Sequence, residues 1–149
     1  KNKKIYIYSF SILLILPTFF WMYSNHPFQN VYFNLLARKN FHTNFEMDYW
    51  GTSNKKALQY IASKTKEKVN VYNLNTSDLL LSRKILDEKN RNLINVVYDP
   101  KKANYIVNSF RDWNGVVKPQ DYSVPKNFVL VYEIKVDDTV INAIYEKKM

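Results

Sequence analysis

The residues with the most evident chemistry lie in one short segment, Phe45 to Ser53, which reads FEMDYWGTS. In this segment an acidic residue, Asp48, is followed directly by two large amphipathic rings, Tyr49 and Trp50. Tyr and Trp combine a flat apolar face with a polar group, which suits both sugar rings and membrane interfaces. A carboxylate beside such rings can orient carbohydrate hydroxyls. Asp48, Tyr49 and Trp50 are therefore the candidate substrate-facing residues.

A second interpretation of this segment is structural, and the spacing of the residues does not separate the two. A helical pattern begins near Ser53, so Asp48 can cap that helix or form an ion pair within the fold. Tyr49 and Trp50 then belong to the core. Both interpretations remain open from the sequence.

No catalytic, metal or cofactor site is predicted elsewhere in the chain. The two histidines, His26 and His42, lack a partner Cys and the spacing of metal ligands on a helix. No serine has the glycine neighbours of a nucleophile elbow. One carboxylate pair, Glu46 with Asp48, lies in the segment already described. We therefore expect this chain to have no catalytic residues, no metal and no cofactor of its own.

Composition excludes several classes of protein. The 149 residues include two Gly and no Cys, which rules out disulfide scaffolds, thiolate metal sites and Gly-rich phosphate loops. The formal net charge is +9, from 22 basic and 13 acidic residues. The lysines are scattered along the chain, and both Lys and Asn are encoded by A/T-rich codons, so an A/T-rich genome can account for much of the charge. The charge therefore does not by itself indicate a nucleic-acid partner. We predict none.

The first part of the chain predicts a membrane-spanning helix. Residues Ile5 to Tyr23 contain no charged side chain, and as a helix these 19 residues span about 28 Å, close to a bilayer core. A buried core helix is the first alternative. A signal peptide is the second, but bulky residues stand where a cleavage site needs small ones. Lysines 1, 3 and 4 place the N-terminus in the cytoplasm and residues 24–149 outside the cell membrane. The predicted domains are therefore 1–23 and 24–149.

Residues 24–149 predict an α/β or α+β domain, a small mixed-sheet sandwich that ends in a β-hairpin. Two helices are expected, one from about Asn54 to Lys64 and one from Thr76 or Ser77 to about Glu88. Alternating or apolar runs predict strands near 69–74, 93–98 and 105–107. The hairpin pairs 128–136 with 139–145, and Asp137 and Asp138 are explained as its turn.

Four segments of the chain resemble, in the same order, the C-terminal region of one enzyme family. They are HPFQNVYFN (26–34), FEMDYWGTS (45–53), ANYIVNSFR (103–111) and the hairpin VYEIKV with INAIY (131–145). The family is the bacterial dolichyl-phosphate-mannose–protein mannosyltransferase-like group, membrane glycosyltransferases of the GT-C architecture. The resemblance covers residues 26–149.

The resemblance implies sugar transfer from a polyprenyl-phosphate donor to a glycan or protein acceptor at the outer membrane face. It also implies that the bilayer and other transmembrane helices of the same enzyme are partners. Two features of the family are missing: the early extracytoplasmic loop with its catalytic acid, and a Gly-rich stretch that Leu36–Asn44 replaces here. One helix cannot enclose a lipid-linked donor. The resemblance thus implies an accessory or acceptor-side domain that is not catalytic alone. The alternative is a single-span envelope protein whose outer domain binds a partner or a glycan.

Overall fold

The computed structural model describes residues 2–31, 48–75, 77–112, 115–116 and 124–148. The chain divides into two compact units, Lys1–Tyr32 and Phe33–Met149. His42 and Glu46 lie outside the described residues.

The first unit is dominated by one apolar helix, α1 (Asn2–Ser24), which contains Pro17. The part of this helix from Lys3 to Ser24 is long and apolar enough to cross a membrane, and none of its spanning window is buried against protein. An apolar helix without a protein core around it is the kind of element that a bilayer accommodates. The predicted apolar helix of spanning length is confirmed. A 3₁₀ helix, Gln29–Val31, follows it.

The second unit is built on a five-stranded mixed sheet. Its strands are β1 (Val69–Asn73), β2 (Ile94–Val97), β3 (Tyr105–Asn108), β6 (Phe128–Val136) and β7 (Thr139–Lys147). They lie in the order β2-β1-β3-β7-β6. Strands β1 and β2, and β1 and β3, pair in parallel, whereas β7 pairs antiparallel with β3 and β6. A two-stranded sheet is formed by β4 (Arg111–Asp112) and β5 (Gly115–Val116). The predicted α+β class with a mixed sheet is confirmed.

One long helix packs on the sheet. This helix, α2 (Thr52–Lys64), places Ala57, Leu58 and Ile61 in the core, and the three side chains are fully buried. Their spacing gives the helix one apolar stripe, which packs against β3 and β7. The prediction located this helix correctly but began it at Asn54, two residues too late.

The second predicted helix is wrong as one element, because the chain forms two short helices there. They are α3 (Leu79–Lys84) and α4 (Glu88–Leu93). The Asp78 side chain accepts from the Leu81 amide, and the Asp87 side chain accepts from the Asn90 amide. Each aspartate therefore starts a separate helix, as an N-cap residue does. The apolar spacing across the junction could not show this interruption.

The closing hairpin is confirmed, and its turn type follows from two backbone angles. Asp137 and Asp138 both have positive φ, 47° and 65°, between the paired residues Val136 and Thr139. Two central residues in this region form a type I′ turn, whose twist matches that of the flanking strands. The turn brings β7 back against β3, where the central part of β7 is buried.

Candidate functional site

The start of α2 is organised by the carboxylate of Asp48, which is 1% exposed. One oxygen, Oδ1, accepts from the Thr52 amide and from Thr52 Oγ1, both at 2.8 Å. The other, Oδ2, accepts from the Ser53 amide at 2.9 Å and from the Ser53 hydroxyl. These bonds satisfy two amides of the first helical turn, which the helix itself leaves unpaired. Asp48 therefore caps α2 from four residues upstream, as the structural interpretation of this segment predicts.

Gly51 allows the chain to turn between Asp48 and the helix. It adopts a left-handed conformation with φ of 64°, and its amide donates to the Asp48 carbonyl at 2.9 Å. A Cβ atom at this position would lie 3.0 Å from Asn54 Nδ2 and 3.3 Å from Ser77 Cβ. Backbone angle and space both require glycine here.

The rings of Tyr49 and Trp50 lie on the surface of this turn. Tyr49 is 48% exposed and Trp50 is 77% exposed, so the alternative that places both rings in the core is wrong. The two rings meet edge to face, with centroids 5.0 Å apart and planes at 85°. The structural interpretation is therefore correct for Asp48, which caps the helix. Tyr49 and Trp50 form an aromatic surface, and the hydrogen bonds of Asp48 fix the backbone that carries the two rings.

A chain of buried polar side chains connects the start of α2 to strand β7 and to the segments that follow β1 and β3. Asn142 on β7 donates to Ser53 Oγ at 2.8 Å and to Asn54 Oδ1 at 2.9 Å. Asn54 Nδ2 donates to Ser77 Oγ at 2.9 Å, and Ser109 Oγ is 2.9 Å from the same oxygen. All five residues are buried. We call Ser53, Asn54, Ser77, Ser109 and Asn142 the buried polar chain.

The sequence pattern does not predict the buried polar chain or the amides beside it. A signal was available, because Asn73 ends β1 and Asn108 ends β3, and each is followed closely by further Asn or Ser residues. The carboxyl ends of neighbouring parallel strands lie at one sheet edge, where α/β proteins commonly bind ligands. The strand order that brings Asn73 and Asn108 together could not be read from the sequence.

The opposite ends of these strands carry a second group of polar residues. Tyr105, at the start of β3, donates its hydroxyl to Glu146 Oε1 at 2.6 Å. Burial, together with this hydrogen bond, raises the pKa of the Tyr105 phenol. The ring of Tyr60 stacks on that of Tyr132 at 4.2 Å. A phenol with a raised pKa stays neutral at physiological pH, so Tyr105 does not offer a base. Its bond to Glu146 ties β3 to β7, and the Tyr60 and Tyr132 stack joins α2 to β6.

The histidines and carboxylates of the described residues form no cluster of metal ligands. His26 Nδ1 lies 2.8 Å from Gln29 Nε2 in the first unit. Among the residues that the structure describes, no three His, Asp or Glu side chains come together as metal ligands.

Comparison with known proteins finds no matching protein family, curated protein or solved structure for this chain.

Replacing Asp48 tests its structural role. Asp48→Ala leaves the Thr52 and Ser53 amides without their acceptor, so we expect the free energy of unfolding to fall by about 3 kcal/mol. Thermal unfolding of the full chain in detergent micelles, followed by near-UV circular dichroism, measures the change. Trp50→Ala is the control and should change stability by less than about 0.5 kcal/mol, because its ring is exposed. Equal losses in the two variants would contradict the assignment.

Proposed function

We propose that this chain is the last membrane helix and the extracytoplasmic accessory domain of a GT-C membrane glycosyltransferase. In this proposal the enzyme transfers a sugar from a polyprenyl-phosphate donor to a glycan or protein acceptor. The chain is not catalytic alone, because the resemblance implies that the catalytic acid lies in an upstream loop. The ordered resemblance of four segments and the apolar helix of spanning length support the proposal.

The single structural observation that carries the sugar-facing role of this domain is the exposed aromatic pair on a fixed turn. Trp50 is 77% exposed although its neighbour Asp48 is buried and holds four hydrogen bonds. An exposed tryptophan on a rigid support can stack on a sugar ring with little loss of conformational entropy. Tyr49 meets it edge to face and supports its orientation. We assign Tyr49 and Trp50 to the substrate-facing surface and Asp48 to positioning them.

The proposed location is the inner membrane, with the N-terminus in the cytoplasm and residues 24–149 outside. The lysines at positions 1, 3 and 4 support this orientation, because no Lys or Arg follows until Arg38. The bilayer and the other spanning helices of the enzyme are then the partners of α1, and no nucleic acid is a partner.

Transfer assays on the whole enzyme test the role of Trp50. We expect Trp50→Ala to lower transfer from a polyprenyl-phosphate sugar about tenfold, since losing one aromatic contact costs about 1.4 kcal/mol. Membranes with equal enzyme levels and a radiolabelled donor sugar provide the measurement. Leu130→Ala is the matched control, because Leu130 is also exposed and apolar but lies on β6. This variant should transfer at the rate of the unaltered enzyme. A Trp50→Ala enzyme with an unchanged rate would overturn the proposed role.

Cysteine labelling tests the orientation. The chain has no Cys, so Lys148→Cys introduces a single thiol just after β7, at an exposed position. We expect a membrane-impermeant maleimide to label this thiol in spheroplasts without permeabilisation. Asn2→Cys, at the N-terminal end of α1, should react only after permeabilisation. The reverse pattern would contradict the proposed orientation.

The second candidate is a single-span envelope protein whose outer domain binds a glycan or a partner. The exposed Tyr49 and Trp50 pair favours it equally, because such a surface needs no catalytic loop. The reading frame upstream of Lys1 discriminates the two. A frame encoding many further apolar spans supports the glycosyltransferase, and a start codon close to Lys1 supports the envelope protein.

A further inference from the structure

A cleft of about 340 Å³ opens beyond the carboxyl ends of β1 and β2. It lies between the last residues of these strands and the beginning of α3. Ligand sites commonly occupy this edge of parallel strands, and small-molecule pockets begin at about 300 Å³. Position and volume therefore suit one small ligand.

Among the described residues, the polar wall of the cleft includes the amides of Asn73 and Asn75, the Ser77 hydroxyl and the Asp78 carboxylate. Asn75 Oδ1 accepts from Ser77 Oγ at 2.7 Å, and Asn75 Nδ2 donates to Asn108 Oδ1 at 3.0 Å. Asn73 Nδ2 donates to the Ser77 carbonyl. Ser77 also belongs to the buried polar chain, so the wall is held by the same bonds that fix the start of α2.

Hydrogen-bonding capacity remains on this wall. Asn75 lines the cleft, and its Nδ2 carries a second N–H besides the one that it donates to Asn108 Oδ1. Asp78 uses Oδ1 to cap α3, and the bonds among the described residues leave its Oδ2 available.

The charge of the cleft disfavours anionic ligands. Although the whole chain carries +9, the described residues that line this cleft include no Lys or Arg, and Asp78 is their one carboxylate. Phosphate and carboxylate ligands need cationic or amide N–H donors without an opposing anion. A neutral ligand rich in hydroxyl groups meets both kinds of polar group present, since a hydroxyl donates to Asp78 and accepts from an amide.

An aromatic ring borders the polar wall. Tyr98 follows β2, is 81% exposed and lines the cleft together with the apolar side chains of Leu80 and Val97. A sugar ring has an apolar face of C–H groups and an edge of hydroxyls. That combination matches an exposed tyrosine next to amides and a carboxylate.

We propose that this cleft binds one unit of a neutral carbohydrate, with Tyr98 against the ring and Asn75 and Asp78 on its hydroxyls. The inference does not rest on the proposed function, because either candidate function can use a glycan site. Within the glycosyltransferase it would hold an acceptor glycan. Gly51 lies beside Ser77 of this wall, which places the Tyr49 and Trp50 turn at the same sheet edge.

Binding of simple glycosides to the full chain tests the proposal. The probes are methyl α-mannoside, methyl β-glucoside, methyl β-galactoside and methyl N-acetyl-β-glucosaminide, added to ¹⁵N-labelled chain in phosphocholine micelles, which carry no sugar. We expect at least one probe to shift the amide signals of residues 73–75, 77–80 and 96–98, with a Kd of about 1–10 mM. Tyr98→Ala should weaken binding about tenfold, whereas Ile85→Ala, exposed but outside the lining, should leave it unchanged.

Two results would overturn the proposal. One is the absence of any shift in these residues with all four glycosides at ten times the expected Kd. The other is equal binding by the Tyr98→Ala and unaltered chains, which would place the sugar elsewhere. Glucose 6-phosphate should bind no more tightly than methyl β-glucoside, and a clear preference for the phosphate would also contradict the charge argument. Because this assay needs no transfer activity, its failure is separate from failure of the Trp50 experiment.

Discussion

The buried carboxylate of Asp48 is the interaction on which the candidate site depends. It accepts hydrogen bonds from two amides of α2 that have no partner within the helix, and from two hydroxyls, all within residues 48–53. A carboxylate without hydrogen bonds would be strongly unfavourable at 1% exposure, so its four donors are needed for it to remain in the fold. The same requirement fixes the backbone between Asp48 and Thr52. The exposed Tyr49 and Trp50 are therefore carried on one of the more constrained turns of the domain.

The constraint extends from Asp48 to the cleft through side chains rather than through the backbone. Ser53 binds Asp48 and also accepts from Asn142, which in turn binds Asn54, and Asn54 reaches Ser77 on the wall of the cleft. Hydrogen-bonded polar groups of this kind favour one arrangement of the elements they join, because a shift would break bonds that buried groups cannot replace with water. Helix α2, strand β7 and the segment after β1 therefore keep a fixed geometry at the edge where the aromatic turn and the cleft lie.

Much of the fold could be predicted from local patterns, because apolar spacing reports which residues a helix or strand must bury. Examples are the stripe of Ala57, Leu58 and Ile61 and the alternation before Asp137. The division into α3 and α4 was missed because an aspartate within a helical pattern looks the same whether it caps a helix or lies on its surface. Only part of the site could be predicted from the sequence. Residue type indicates Asp48 and Trp50, but the burial of Asp48 and the exposure of Trp50 depend on tertiary packing. The cleft depends on strand order, which no local pattern contains.

Amide hydrogen exchange at the start of α2 tests the central role of Asp48 most directly. The first amides of a helix normally exchange fast, because no residue of the helix accepts from them. With Asp48 as their acceptor, the Thr52 and Ser53 amides should exchange as slowly as that of Ile106 in the core of the sheet. The Leu80 amide in the first turn of α3, to which the Asp78 side chain does not bond, should exchange fast. Equally fast exchange at Thr52, Ser53 and Leu80 would contradict the account.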